Sequence, residues 1–126
     1  MKLFIVTWGM IFIAALMDVY GAFVVKVRIN ELGPFKYDST ITVLKYLLEL
    51  SKSPLVLFGA FLILISPIPY ALALTRMELS TAYPIIVAVN ALLLFPIAII
   101  FLGETISWYK MTGIIIIIFG LYFIYK

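Results

Sequence analysis

Four long apolar runs, Leu3–Val25, Pro54–Thr75, Ser80–Leu102 and Ile106–Tyr125, leave this chain few ways to fold. Each run holds about 20–23 residues, and a helix needs about 20 to cross ~30 Å of hydrocarbon. In lipid every backbone N–H and C=O must find an internal partner, so only helices or a closed barrel can span. Barrel strands alternate apolar and polar residues; these runs do not, and they predict helices. Composition agrees. Of 126 residues, 66% are hydrophobic and 12% charged, with a mean hydropathy of +1.25. A soluble domain of this size needs far more polar surface to cover its core. The expected fold is an all-α membrane protein: one four-helix transmembrane domain over residues 1–126, with a short interfacial helix between helices 1 and 2.

The same composition removes several functions. Cysteine and histidine are both absent. That leaves no disulfide framework, no Cys- or His-based metal or haem site and no Ser-His triad. No cofactor is expected. The net charge of +3 is modest, and the basic residues lie between apolar runs rather than with aromatics in a solvated stretch. Nucleic acid is therefore not an expected partner. The first run is longer than a signal-peptide core and has no small-x-small cleavage site before a polar domain, so it reads as a retained span.

Breakers divide the runs. Gly33-Pro34 ends the tail of the first, and Ser53-Pro54 reads as a cap with proline at the first helical position. Arg76-Met77-Glu78 is a very short turn, which makes spans 2 and 3 adjacent and antiparallel. Gly103-Glu104 separates spans 3 and 4. Between spans 1 and 2, Ser39–Lys52 differs from the rest. Thr42, Lys45, Glu49 and Lys52 mark one face, and Ile41, Leu44, Leu47, Leu48 and Leu50 the other. This predicts an amphipathic helix lying at the membrane interface, with an N-terminal extension of span 2 as the alternative. Lys2, Arg76 and Lys126 fall on one side of the membrane; Lys26, Arg28, Lys36, Lys45, Lys52 and Lys110 fall on the other. The positive-inside rule then places the long first loop in the cytoplasm of a multi-pass cell-membrane protein. If Lys26 lies within the membrane the bias narrows, and dual topology stays open.

Asp18 is the one acid well inside a span. A charge at the helix centre costs roughly 2.5–3.5 kcal/mol on the insertion scale, and such residues default to functional hypotheses. Ala14, Ala15, Gly21 and Ala22 lie three or four residues away, a strip of small side chains that suits close helix contact. The carboxylate is expected to face the bundle, where it can trade a proton for a cation. A structural hydrogen bond, or an ion pair with Lys26, is the alternative. Lys26 itself either faces the chamber or snorkels to the interface. Asn90, mid-span 3, is either interhelical glue or part of a substrate path. Tyr20, Tyr70 and Tyr83 are candidate chamber walls, since aromatic faces favour cations. Pro67 and Pro69 in "SPIPY", with Pro84 and Pro96, bend their helices, which suits alternating access. Gly113 and Gly120 share a face of "GIIIIIFG", for packing within the chain or against a second copy.

Taken together, these residues resemble the small multidrug resistance transporters of the drug/metabolite transporter superfamily. In that family a glutamate opens a stretch with a glycine three and a lysine eight residues later; here those positions are Asp18, Gly21 and Lys26 in "DVYGAFVVK". "LSTAYPI", Leu79–Ile85, resembles the superfamily's start of span 3. "FLGETIS", Phe101–Ser107, looks like its turn between spans 3 and 4, and G-x6-G in span 4 is similar to its dimerisation stripe. The resemblance implies an antiparallel homodimer with Asp18 of both copies, Gly21 and Lys26 around one chamber, where protons and substrate compete. The chain departs from the multidrug branch in four places: Asp for Glu, Ile86 where a tryptophan follows the span-3 tyrosine, Ala88-Val89-Asn90 for Gly-x-Gly, and a longer first loop. That loop, with "AYP" and the Gly-Glu turn, resembles another four-span branch: subunits that flip undecaprenyl-phosphate-linked aminoarabinose, and their EamA-domain relatives.

Three functions are expected in order. The first is proton-coupled exchange or export of small cationic or lipophilic compounds, with Asp18 as the coupling and binding residue. The second is a subunit of a flippase for a polyprenyl-phosphate-linked sugar, in a heterodimer, with Lys26 and Arg28 meeting the phosphate. The third is a non-transporting accessory membrane subunit. An enzyme is not expected, because Asp18 has no evident partner nucleophile, base or metal.

Overall fold

In the computed structural model, residues 2–35 and 38–125 are described. Lys36 and Lys126, used in the charge count, lie outside them. The described chain forms six α-helices and no strand: α1 (Lys2–Leu32), α2 (Thr40–Ser51), α3 (Pro54–Ile65), α4 (Pro67–Leu74), α5 (Leu79–Leu102) and α6 (Trp108–Tyr125).

Helix α1 outruns the predicted first span. Nothing between Lys26 and Leu32 breaks a helix, and Arg28 pairs with Glu31 at 2.8 Å along its last turns. The helix therefore carries both basic residues on past the apolar run, roughly 46 Å in all at ~1.5 Å per residue. It stops where expected. Gly33 takes a left-handed φ of 82°, and its N–H closes on the Ile29 carbonyl at 3.0 Å.

Helix α2 falls where the amphipathic pattern predicts it. Ser39 caps it, its hydroxyl accepting from the Thr42 N–H at 3.4 Å. The Tyr46 hydroxyl donates to the Gly33 carbonyl at 3.2 Å, and the Tyr46 ring lies against Phe35 with centroids 5.1 Å apart. These contacts tie α2 to the end of α1. Ile41, Leu44, Leu47 and Leu48 are all exposed, and no α2 residue is buried.

The second run is two helices in one apolar stretch. Proline has no N–H and its ring crowds the preceding turn. Pro67 accordingly ends α3 at Ile65 and opens α4, with Ser66 as the joint. Pro54 stands at the start of α3 as expected, but the Ser53 side chain makes no capping bond. Pro84 and Pro96, by contrast, are absorbed within a continuous α5. Gly103 closes α5 with φ 64°, and the Glu104 N–H reaches back to the Ala98 carbonyl at 3.2 Å. Helix α6 starts two residues later than predicted; the Ser107 hydroxyl accepts from the Lys110 N–H at 3.3 Å at its first turn.

Helix α1 is the central element. It packs on α3, α4 and α5, whereas α6 packs on α5 alone. The buried core is Ile11, Ala14, Ala15, Ala73, Ile85 and Ile86, where α1, α4 and α5 meet. Three alanines there let backbones come close, the usual basis of helix association where lipid is as apolar as leucine. Three helical stretches, Phe4–Leu32, Pro54–Leu74 and Leu79–Leu102, are long and apolar enough to cross a membrane. The apolar part of α6, Trp108–Ile124, is shorter.

Candidate functional site

Asp18 faces inward. Ala14, Ala15, Val19 and Gly21 around it are buried, while Ala22, expected in the same strip, is exposed. Two other helices reach the carboxylate. The Ser66 hydroxyl, at the α3–α4 joint, donates to Asp18 Oδ1. The Asn90 amide, in mid-α5, donates from Nδ2 to Oδ2 at 3.3 Å. Hydrogen bonds to a charged group contribute about 1.5–3 kcal/mol each, the same order as the cost of placing the charge there. Asp18 makes no ion pair among the described residues, and Lys26, its expected alternative partner, is exposed.

Ser66 holds its place for a local reason. In a continuous helix the Ile63 carbonyl would accept from the N–H four residues on. That residue is Pro67, which has none. The Ser66 Oγ lies 3.0 Å from this orphaned carbonyl. A serine hydroxyl carries one hydrogen, so Ser66 faces two acceptors with one donor. Ser66→Ala is expected to lower stability by about 1–3 kcal/mol, the cost of leaving a buried acceptor unmet. Ser66→Thr should restore most of it. Thermal unfolding in detergent of the two variants checks this, and a Ser66→Ala protein as stable as the parent would refute it.

Asn90 has a second property. With Nδ2 turned to Asp18, its Oδ1 is buried and has no partner among the described residues. Beside the bonded carboxyl group the site thus presents an idle amide carbonyl, an acceptor, inside an apolar bundle. The Tyr70 hydroxyl, one helical turn beyond Ser66, is likewise buried without a partner among the described residues.

The other candidates separate by location. Gly21 lies in the α1–α3 contact, its Cα 3.1 Å from where a Cβ on Gly59 would stand; it is a packing residue within this chain. Tyr20 is exposed and meets Phe58 edge-on at 5.9 Å. With Leu16, Val19, Phe23, Ile97 and Phe101 it lines an open apolar cleft of about 240 Å³ between α1 and α5. Tyr83 is exposed. Around Gly113 and Gly120 on α6, nothing lies within 4 Å of the place a Cβ would take. Of the lining candidates, Asn90 alone has a hydrogen bond to Asp18 among the described residues. Ser66 and Gly59 are not evident as site residues from the sequence. A signal for Ser66 exists in "SPIPY": a serine just before the proline that orphans a carbonyl one turn back. No group of His, Cys, Asp or Glu able to hold a metal occurs among the described residues. No known protein family, curated protein or solved structure matches the chain.

Proposed function

We propose that the chain is a small secondary transporter of the cell membrane in which protons and small cationic or lipophilic compounds compete for Asp18. The observation that carries this reading is the carboxylate itself, held inside the bundle by Ser66 and Asn90 beside an unpartnered carbonyl oxygen. A cation with hydrogen-bond donors satisfies both acceptor groups at once; a proton satisfies the carboxylate alone. The apolar cleft beside Tyr20 suits the lipophilic part of such a compound. The resemblance of "DVYGAFVVK" to the small multidrug resistance transporters supports the same reading. In it α6 is the fourth span, α2 lies on the membrane surface with its leucines in the lipid, and two copies form the working unit across the open glycine face of α6. The antiparallel arrangement comes from the family resemblance.

The direct test adds candidate organic cations to purified protein in weakly buffered detergent and measures released protons. Binding should release protons, and the release should vanish in the Asp18→Asn variant. Cation binding with no proton release would refute coupling at Asp18. A flippase subunit for a polyprenyl-phosphate sugar is the second reading. One observation favours it: Arg28 Nε is buried without an acceptor among the described residues, although its NH1 pairs with Glu31. A Lys26→Ala, Arg28→Ala variant that binds a polyprenyl phosphate as the parent does would remove that reading.

A further inference from the structure

The Ser66 hydroxyl stands between two acceptors, and only one of them can change its protonation. We propose that Ser66 is a positioning residue that relays the protonation state of Asp18 to the proline joint of the second span. The relay rests on the reading of Asp18 as a group that gains and loses a proton, and on no transported substrate.

With Asp18 ionised, Ser66 gives its one hydrogen to Oδ1, and the Ile63 carbonyl, already deprived of a donor by Pro67, has none. When Asp18 takes a proton on Oδ1, the new O–H donates to Ser66 Oγ. The serine hydrogen is then free to turn to the Ile63 carbonyl 3.0 Å away. Carboxyl, hydroxyl and carbonyl are then all matched. Loss of that proton reverses the order: the hydroxyl turns back to the carboxylate and the carbonyl is orphaned again. A serine back-bond to a helix carbonyl bends the helix, and an orphaned carbonyl at a proline break is left to find another donor, so the two hydrogen-bond states favour different bend angles at the joint. The protonation state of α1 is thereby written into the α3–α4 angle. The same angle sets the position of Tyr70, one turn further on.

Few other charges intrude. Helix α3 carries no ionisable side chain, α4 only Tyr70 and α5 only Tyr83. On α1, Tyr20 is exposed, and Lys26, Arg28 and Glu31 lie two or more turns beyond Asp18, with Lys2 at the opposite end. On α2, Tyr46 meets the Gly33 end of α1, Glu49 pairs with Lys52, and Lys45 lies on the same helix. The uncharged partners of the carboxylate, Ser66 and Asn90, are its only hydrogen-bond partners among the described residues.

The test is a pH titration of the full chain in lipid nanodiscs, followed by the 13C resonances of Asp18 Cγ and the Ile63 carbonyl. The two should move together with one midpoint. In Ser66→Ala the Asp18 signal should still titrate while the Ile63 carbonyl stays flat. Ser66→Thr should restore the Ile63 response. Pro67→Ala, which returns an N–H to that carbonyl, should flatten it without removing Ser66. A flat Ile63 signal in the parent chain overturns the relay, as does an Ile63 response that survives Ser66→Ala, or an Asp18 Cγ that never moves. Coupled proton release on cation binding with a flat Ile63 signal would overturn the relay and leave the transport reading standing. An intact relay with no proton release would do the reverse.

Discussion

In proteoliposomes carrying an imposed proton gradient, Asp18→Asn is expected to bring substrate-coupled proton flux down to the level of protein-free vesicles. Its folding should change little. Asparagine is nearly isosteric with aspartate, and its carbonyl still accepts from the Ser66 hydroxyl. Its amide nitrogen replaces an acceptor with a donor, which would clash with Asn90 Nδ2 as that side chain now stands. Asn90, however, has an idle Oδ1 on the other arm of the same amide. Turning the Asn90 amide over gives the new donor an acceptor. The variant therefore keeps a bonded bridge across three helices while losing the group proposed to exchange a proton. Asp18→Leu lacks that compensation. It strands the Asn90 donor, at about 1–3 kcal/mol for an unmet buried group, although the Ser66 hydroxyl can turn to the Ile63 carbonyl 3.0 Å away. The variant is expected to unfold at a lower temperature. The pair separates chemistry from architecture. An Asp18→Asn protein that still drives coupled flux would show that the carboxylate is a packing residue, as the accessory-subunit reading holds.

Sequence is most informative where a local signal decides the structure. Gly33-Pro34 and Gly103 stop their helices because a left-handed residue there satisfies the last carbonyls, and that requirement is visible in a dipeptide. The α2 helix is legible because its charged and apolar residues alternate at helical spacing. The inward direction of Asp18 is legible from the alanines and glycine around it. Its partners are not. Ser66 and Asn90 are 48 and 72 residues away, at the α3–α4 joint and in mid-α5, in stretches with no amphipathic stripe to say which side turns inward. The length of α1 is hidden for a related reason. Hydropathy marks where lipid ends, whereas a helix ends only at a breaker, and the charged turn from Lys26 to Leu32 contains none. Gly59 is silent because a single glycine in an apolar run has meaning only once its neighbour across the contact is known.

That neighbour makes Gly21→Ala the substitution expected to damage the fold most for its size. A methyl group on Gly21 would stand 2.5 Å from Ile63 Cγ1 and 2.7 Å from the Gly59 carbonyl oxygen. The isoleucine can rotate away; the carbonyl belongs to the backbone of α3 and cannot. Helix α3 must therefore back off from α1. Overpacking of this kind costs about 1–3 kcal/mol. Membrane helices associate through close packing rather than hydrophobic exclusion, so little else opposes the separation. The reciprocal change is milder. A methyl on Gly59 meets the Gly21 Cα at 3.1 Å and the Gly21 carbonyl oxygen at 3.5 Å, a displacement of a few tenths of an ångström. Gly21→Ala should thus lower the unfolding temperature in detergent more than Gly59→Ala does. Trimming Ile63 to alanine should not rescue it, because the blocking carbonyl remains. Moving α3 also moves Ser66, seven residues beyond Gly59, away from Asp18. Coupled proton release should fall along with stability in Gly21→Ala, whereas a purely local clash would spare it; equal stability of the two glycine variants would show that the α1–α3 contact is looser than these distances require.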